Sequence, residues 1–172
     1  FAIALQTVSG YNYGAKLFDR VKQSLVSACV AGTIASTLLA LPMIFMPETI
    51  YTWFSDEPVL VKHASDISIL VFLGFLTKGV SALAAPFFQA LGHSMKSFLL
   101  SLAQGFIVLV PTILLFSYLY GIEGVMLAIP ISDVIFLLIA CSFFIRQWIV
   151  MGQQNFGQDE ENVTEERAGE YV

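Results

Sequence analysis

Four long apolar stretches dominate the chain, at approximately 24–46, 67–91, 98–119 and 125–145, and only short polar segments separate them. An α-helix needs ~20 residues to cross about 30 Å of hydrocarbon, because each residue rises only about 1.5 Å. Each stretch meets that length, so the pattern predicts four membrane-spanning helices. The opening residues 1–9 read as the last turns of a further apolar helix, joined to the first span by an inner loop over 10–23, and the chain is expected to be a fragment of a longer protein. Residues 152–172 are polar and acidic, and such a composition predicts a disordered tail. The fold class is therefore an all-α integral membrane protein: four transmembrane helices plus the end of a truncated one. Pro42, Pro86, Pro111 and Pro130 each fall inside a span. A membrane bundle admits them, because neighbouring helices and hydroxyls satisfy the carbonyls that proline leaves free.

Composition narrows the class further. Hydrophobic residues make up 57% and charged residues 12%, about half the charge of a soluble domain, which excludes an ordinary soluble enzyme. The net charge of −5 belongs to the tail, where six acids face one base, while the preceding 151 residues balance seven acids with seven bases. Lys16, Arg20, Lys22, Lys96 and Arg146 fall on one side of the four-span topology and Lys62 alone on the other. Basic residues near span ends are retained in the cytoplasm, so the first inner loop and the tail are expected to be cytoplasmic, in a multi-pass protein of the plasma membrane. Tyr51, Trp53, Tyr118 and Tyr120 at the outer boundary, with Tyr11, Tyr13 and Trp148 at the inner one, suit interfacial anchoring. Cys29 and Cys141 lie in apolar runs without ligand spacing, and His63 and His93 read as solvated loop residues. No metal site, cofactor or nucleic-acid partner is expected, and no enzyme activity.

The polar residues inside the spans divide into two kinds. Ser24, Ala28, Gly32, Ser36 and Ala40 recur every fourth residue, which lines small side chains along one helix face for close packing. Lys78 is different, because it sits near the middle of the second span, where a cation costs about 2.5–3.5 kcal/mol on insertion scales. Gly74, Lys78, Ser81, Ala85 and Gln89 fall on one face of a continuous helix, with Phe72, Leu76, Leu83 and Phe87 mainly on the other. The fourth span offers Asp133, and both spans run in the same direction. At about 1.5 Å per residue the two charges differ in depth by only ~4–5 Å, within the reach of a lysine side chain. Lys78 and Asp133 are therefore expected to share an interior, as a structural ion pair or as part of a proton-responsive cavity. Gln104 and Ser101 on the third span are further candidates for the same interior.

The motif Gly10-Tyr11-Asn12-Tyr13-Gly14-Ala15-Lys16, followed by Arg20-Val21, resembles the cytoplasmic loop between the eighth and ninth helices of the multidrug and toxic compound extrusion (MATE) transporters. Pro47-Glu48 with Trp53-Phe54-Ser55, then Pro86-Phe87-Phe88-Gln89-Ala90-Leu91-Gly92, Pro111, Gly121, Gly124 and Pro130-Ile131-Ser132-Asp133, are similar to later parts of that family in the same order. The resemblance covers roughly residues 1–150. It implies a cation-coupled antiporter, driven by H+ or Na+, that exports organic and often cationic compounds by alternating access. Two six-helix lobes would make a twelve-helix protein, of which this chain supplies the last four helices, and the missing N-terminal part would complete the path. Two glycines flanking Tyr-Asn-Tyr are expected to permit a tight turn at the membrane surface.

Two departures from the family pattern bear on the coupling ion. Some branches carry an acidic residue on the tenth helix, where this chain reads Thr77-Lys78-Gly79-Val80-Ser81, and many carry an arginine early in the eleventh, where it reads Ala103-Gln104. The resemblance then points to the proton-coupled side of the family, with Lys78, Ser81, Gln89, Gln104 and Asp133 as candidate cavity residues. Two alternatives stay open: a flippase of lipid-linked oligosaccharides from the same superfamily, and a small four-helix membrane subunit with a structural role.

Overall fold

The structure, a computed structural model, describes residues 1–155 in side-chain detail; the disordered-tail expectation for 152–172 lies outside the described residues from 156 onward. The elements are α1 (Ala2–Gly14), α2 (Phe18–Phe45), α3 (Pro47–Tyr51), α4 (Pro58–Ser81), α5 (Ala84–Ala90), α6 (Ser94–Leu102), a π-helical segment (Ala103–Val108) and α7 (Leu109–Glu170). The described residues contain no strand. Three helical runs, Phe18–Phe45, Pro58–Ala90 and Ser94–Asn155, are long and apolar enough to cross a membrane.

The third run is two spans, not one. Gly121 has φ 65° and ψ −140°, a conformation that residues with a Cβ rarely adopt. It divides α7 into α7a (109–120) and α7b (from 122). A straight helix would hold residues 96 and 147 about 75 Å apart, yet Lys96 Nζ donates a hydrogen bond to Gln147 Oε1 at 3.1 Å. The chain therefore doubles back at Gly121, and the tip is so tight that a Cβ on Gly124 would collide with the Phe116 carbonyl. Four apolar spans result.

The second run also has an interruption. Pro86 lacks an N–H and its ring crowds the carbonyl of Ala82, so the helix stops after Ser81 and restarts at Ala84. The Ala82 amide keeps its helical bond to the Lys78 carbonyl, and the Leu83 amide donates to the Val80 carbonyl, only three residues back. The break rotates the segment that follows. Leu83 and Phe87, expected to face away from the interior on a continuous helix, are almost completely buried, whereas Gln89 is exposed. With Phe88, Leu100, Phe136 and Phe144 they form the apolar core at the α5–α6 end of the bundle. The aromatic rings are close, Phe87 meeting Phe144 edge-on at 5.6 Å and Phe88 stacking on it at 6.1 Å.

The opening motif also lies differently from the expected loop. Gly10 to Gly14 are the last turns of α1, α2 begins at Phe18, and the left-handed residue of the short connection is Lys16, with φ 59°. Gly10 serves contact and not turning: its Cβ would stand 3.3 Å from the Ala90 carbonyl, so its bareness lets α1 lie against the end of α5. Tyr13 packs edge-on against both Phe18 and His93, and the Asn12 carbonyl accepts the Leu17 amide. His93 is thus wedged among side chains, not free in solvent, and burial first, then the Lys96 charge, push its imidazole below the ordinary value.

Helix packing follows the small residues. On α2, Gly32 and Ala40 are buried while Val26, Val30, Ile34 and Leu38 are exposed, as lipid-facing side chains on the outside of a bundle are. The crossing of α2 and α4 is a backbone contact: a Cβ on Gly32 would lie 2.7 Å from the Gly79 carbonyl oxygen, and one on Gly79 would collide with the Thr33 backbone. In a lipid environment helices associate through such close approach, since apolar side chains gain little by leaving lipid. In the full-length protein, Gly79→Val forces α2 and α4 apart and lowers stability by about 1–3 kcal/mol, as overpacking does. Gly105→Ala, where a Cβ meets nothing within 4 Å, leaves it nearly unchanged; thermal unfolding of the purified protein reads both, and equal effects would contradict the crossing.

Candidate functional site

Lys78 lies in the last turn of α4, a consequence of the break that Pro86 imposes. It therefore stands both deep in an apolar run and at a helix C-terminus, where the partial negative charge of the helix dipole favours a cation. Asp133 lies on α7b, three residues after Pro130. Lys78 Nζ donates to Asp133 Oδ1 at 2.5 Å, a charge-assisted contact across 55 residues of sequence. The two partners differ in access. The Lys78 side chain is 32% exposed and that of Asp133 only 10%, so the lysine is the more accessible of the two.

A glycine makes the pair possible. A Cβ on Gly74 would stand 3.1 Å from both Asp133 Oδ2 and the Pro130 Cα. Without it α7b settles directly on α4, one helical turn before Lys78, and the carboxylate comes within the lysine's reach. Gly74 and Gly79 thus flank Lys78 with two backbone contacts, one to α7b and one to α2. Neighbouring hydroxyls are spent locally: Thr77 Oγ1 donates to the Gly74 carbonyl, Ser81 Oγ to Thr77 and Ser132 Oγ to Ile129. Among the described residues the pair is bonded only to itself.

The other sequence candidates divide. Ser81 is buried one turn beyond Lys78, with its hydroxyl committed to its own helix. Gln89 lies past the break, at the end of α5, where its Oε1 accepts a hydrogen bond from Gln6 Nε2 at 3.0 Å. Gln104 is half-buried on the π-helical segment and Ser101 donates to the Ser97 carbonyl; neither is hydrogen-bonded to the pair. The structure therefore brings together Lys78 and Asp133, with Ser81 one turn away, places Gln89 past the break against Gln6, and hydrogen-bonds Gln104 to neither member of the pair. Asn12 of the opening motif is buried and donates to the Val8 carbonyl, and Tyr13 packs on His93, so that motif ties α1 to α5 and α6. Tyr11, Gly14, Ala15 and Lys16 are exposed.

Two features carry no signal in local sequence. A cavity of about 640 Å³ opens at the opposite end of the bundle, lined by His63, Asp66 and Glu123 among apolar neighbours of α4 and α7b. Gln147 is buried, takes Lys96 on its oxygen, and its Nε2 finds no partner among the described residues. Both depend on α7b lying beside elements far away in the chain, which only the reversal at Gly121 brings about. No group of three histidine, cysteine or acidic residues that could hold a metal ion occurs among the described residues.

Known proteins resemble this chain in sequence. The FAD transporter of Shewanella oneidensis is 26% identical over 136 residues, covering 79% of this chain and 30% of that protein. Multidrug export protein MepA of Staphylococcus haemolyticus is 24% identical over 140 residues, covering 81% of this chain and 28% of its own length. The chain thus spans less than a third of either relative. A family model, MatE, matches residues 1–115, which takes in the opening motif, the α2–α4 crossing and Lys78. With four apolar spans, that motif and this match, the chain belongs to the MatE family, the multidrug and toxic compound extrusion transporters.

Proposed function

We propose that the transporter to which this chain contributes exports organic compounds by cation-coupled antiport, with protons as the coupling ion, and that Lys78 and Asp133 form the part of its interior that responds to them. The observation that supports this reading is the ion pair itself, which joins two separate spans inside an apolar bundle. A proton delivered to Asp133 neutralises the carboxylate and ends the attraction that holds α7b to α4 at this depth. Lys78 is then left with no counter-charge among the described residues, a state that favours a rearranged bundle or a substrate bearing its own acceptor. Loss of the proton restores the pair and the original packing. Alternating access in this scheme is the movement of α7b and α4 between those two states. The end bearing Lys16, Arg20, Lys22, Lys96 and Arg146 faces the cytoplasm by the positive-inside rule, with the tail on the same side.

A second reading concerns the substrate. The more accessible partner is the ammonium, which keeps two N–H donors after serving Asp133. Such a group suits a phosphate or carboxylate better than a bare organic cation, and one relative carries the name FAD transporter. In everted vesicles the parent protein then takes up a flavin dinucleotide and Lys78→Gln abolishes that uptake; uptake that survives Lys78→Gln would count against an anionic substrate held by the ammonium.

Two measurements test the main reading. A lone charge in mid-span costs about 2.5–3.5 kcal/mol, so Lys78→Asp alone and Asp133→Lys alone, in the full-length protein, each abolish dye efflux and reduce the folded yield. The double exchange recovers the yield and part of the efflux; recovery of neither would contradict a functional pair. With a proton gradient imposed alone, everted vesicles accumulate dye, and with a sodium gradient alone they do not. A strictly sodium-driven signal would overturn proton coupling.

A further inference from the structure

Two cavities lie side by side between α2 and α7b at the basic end of the bundle. The first, about 580 Å³, is lined by Asp19, Lys22, Gln23, Val26, Ser27 and Trp148. The second, about 320 Å³, has walls of apolar and sulfur-bearing side chains only, Cys29 and Ile145 among them, and shares Val26 and Trp148 with the first. They are one groove with a charged mouth and a hydrocarbon floor. Trp148 divides them, its ring 5.6 Å from Lys22 Nζ, and tryptophan beside lysine at the limit of an apolar span marks the level of lipid headgroups.

The mouth holds both signs of charge. The Lys22 side chain, mostly covered, points its ammonium to within 3.6 Å of Asp19 Oδ1, while the Asp19 side chain is largely exposed. Asn155 Nδ2, on α7b, donates to Asp19 Oδ2 at 3.1 Å and steadies the carboxylate at the rim. A cation set inward above the apolar floor and an anion set outward match the order of charges in a zwitterionic phospholipid, phosphate nearer the chains and amine farther out. The carboxylate also selects among amines. A primary ammonium donates hydrogen bonds to it, a quaternary choline has none to give, and an anionic headgroup without an amine meets its repulsion.

We propose that this groove binds one ethanolamine phospholipid, with its phosphate on Lys22, its ammonium on Asp19 and an acyl chain along Cys29 and Ile145. The bound lipid joins α2 to α7b, whose direct contact elsewhere is slight, and so adds to the packing that holds Asp133 in place.

Native mass spectrometry of the full-length transporter, supplied with equal amounts of phosphatidylethanolamine, phosphatidylcholine and phosphatidylglycerol, tests the proposal. One ethanolamine lipid is retained in about fivefold or greater preference over the other two, as charge-assisted hydrogen bonds allow. Asp19→Asn reduces the preference over phosphatidylglycerol, Lys22→Ala lowers occupancy by all three, and Lys96→Ala, at the same end but outside the groove, changes neither. Ile145→Trp fills the apolar floor with both charges intact and lowers occupancy, which keeps the test decisive should a charge variant fail to fold. Equal retention of the ethanolamine and choline lipids, a preference for phosphatidylglycerol, or an Asp19→Asn variant indistinguishable from the parent would each overturn it.

Discussion

A charge inside a bilayer must bring its own counter-charge or have water at hand, and the arrangement of this bundle follows from meeting that demand at Lys78. The nearest acid, Asp133, lies on a span that reaches α4 only because the chain reverses at Gly121. The approach must then be close, and Gly74 supplies it by presenting bare backbone to Pro130 and Asp133. On the other side Gly79 admits α2 in the same way, so the turn that carries the lysine is clasped by two neighbours through backbone contacts. Such contacts fix helix positions more tightly than apolar side chains sliding in lipid can.

Pro86 adds a second constraint. By stopping α4 at Ser81 it turns Phe87 and Phe88 into the aromatic core with Phe136 and Phe144, and it leaves Lys78 at a helix end whose dipole suits a cation. Core and charge site thus lie on opposite sides of one break in a single apolar run. The core, which also takes in Leu5, Phe18 and Val21, ties α1 and the start of α2 to the α5–α6 end.

Much of this was legible in the residues and some was not. Four spans followed from apolar length alone, and the Lys78–Asp133 pair followed from depth, since both spans run the same way and two charges in hydrocarbon seek one another. The rotation after Ser81 was not legible by treating 67–91 as one regular helix, although Pro86 signals it, because the size of such a rotation depends on what the following turn packs against. Gly10 and Gly14 read as turn residues, but glycine serves close approach as well as turning, and only the position of Ala90 distinguishes the two at Gly10. Gln89 was grouped with Lys78 by its place on one face of a continuous helix, a face that the break after Ser81 ends, and Gln104 by polarity, which does not say which neighbour a side chain meets. The Lys22–Asp19 groove had no sequence signal beyond an interfacial tryptophan, because its two walls are more than a hundred residues apart.

MatE membership and the pair together make direct contact between Lys78 and Asp133 the central claim. Solid-state NMR measures it in the full-length transporter reconstituted in liposomes, through dipolar dephasing between lysine ¹⁵Nζ and aspartate ¹³Cγ. The account predicts a short-range dephasing component that is lost in Asp133→Asn, leaving only what the Lys22–Asp19 pair supplies, and that persists when Lys22 is replaced. Dephasing unchanged by Asp133→Asn, or none beyond what the Lys22–Asp19 pair supplies, would contradict it.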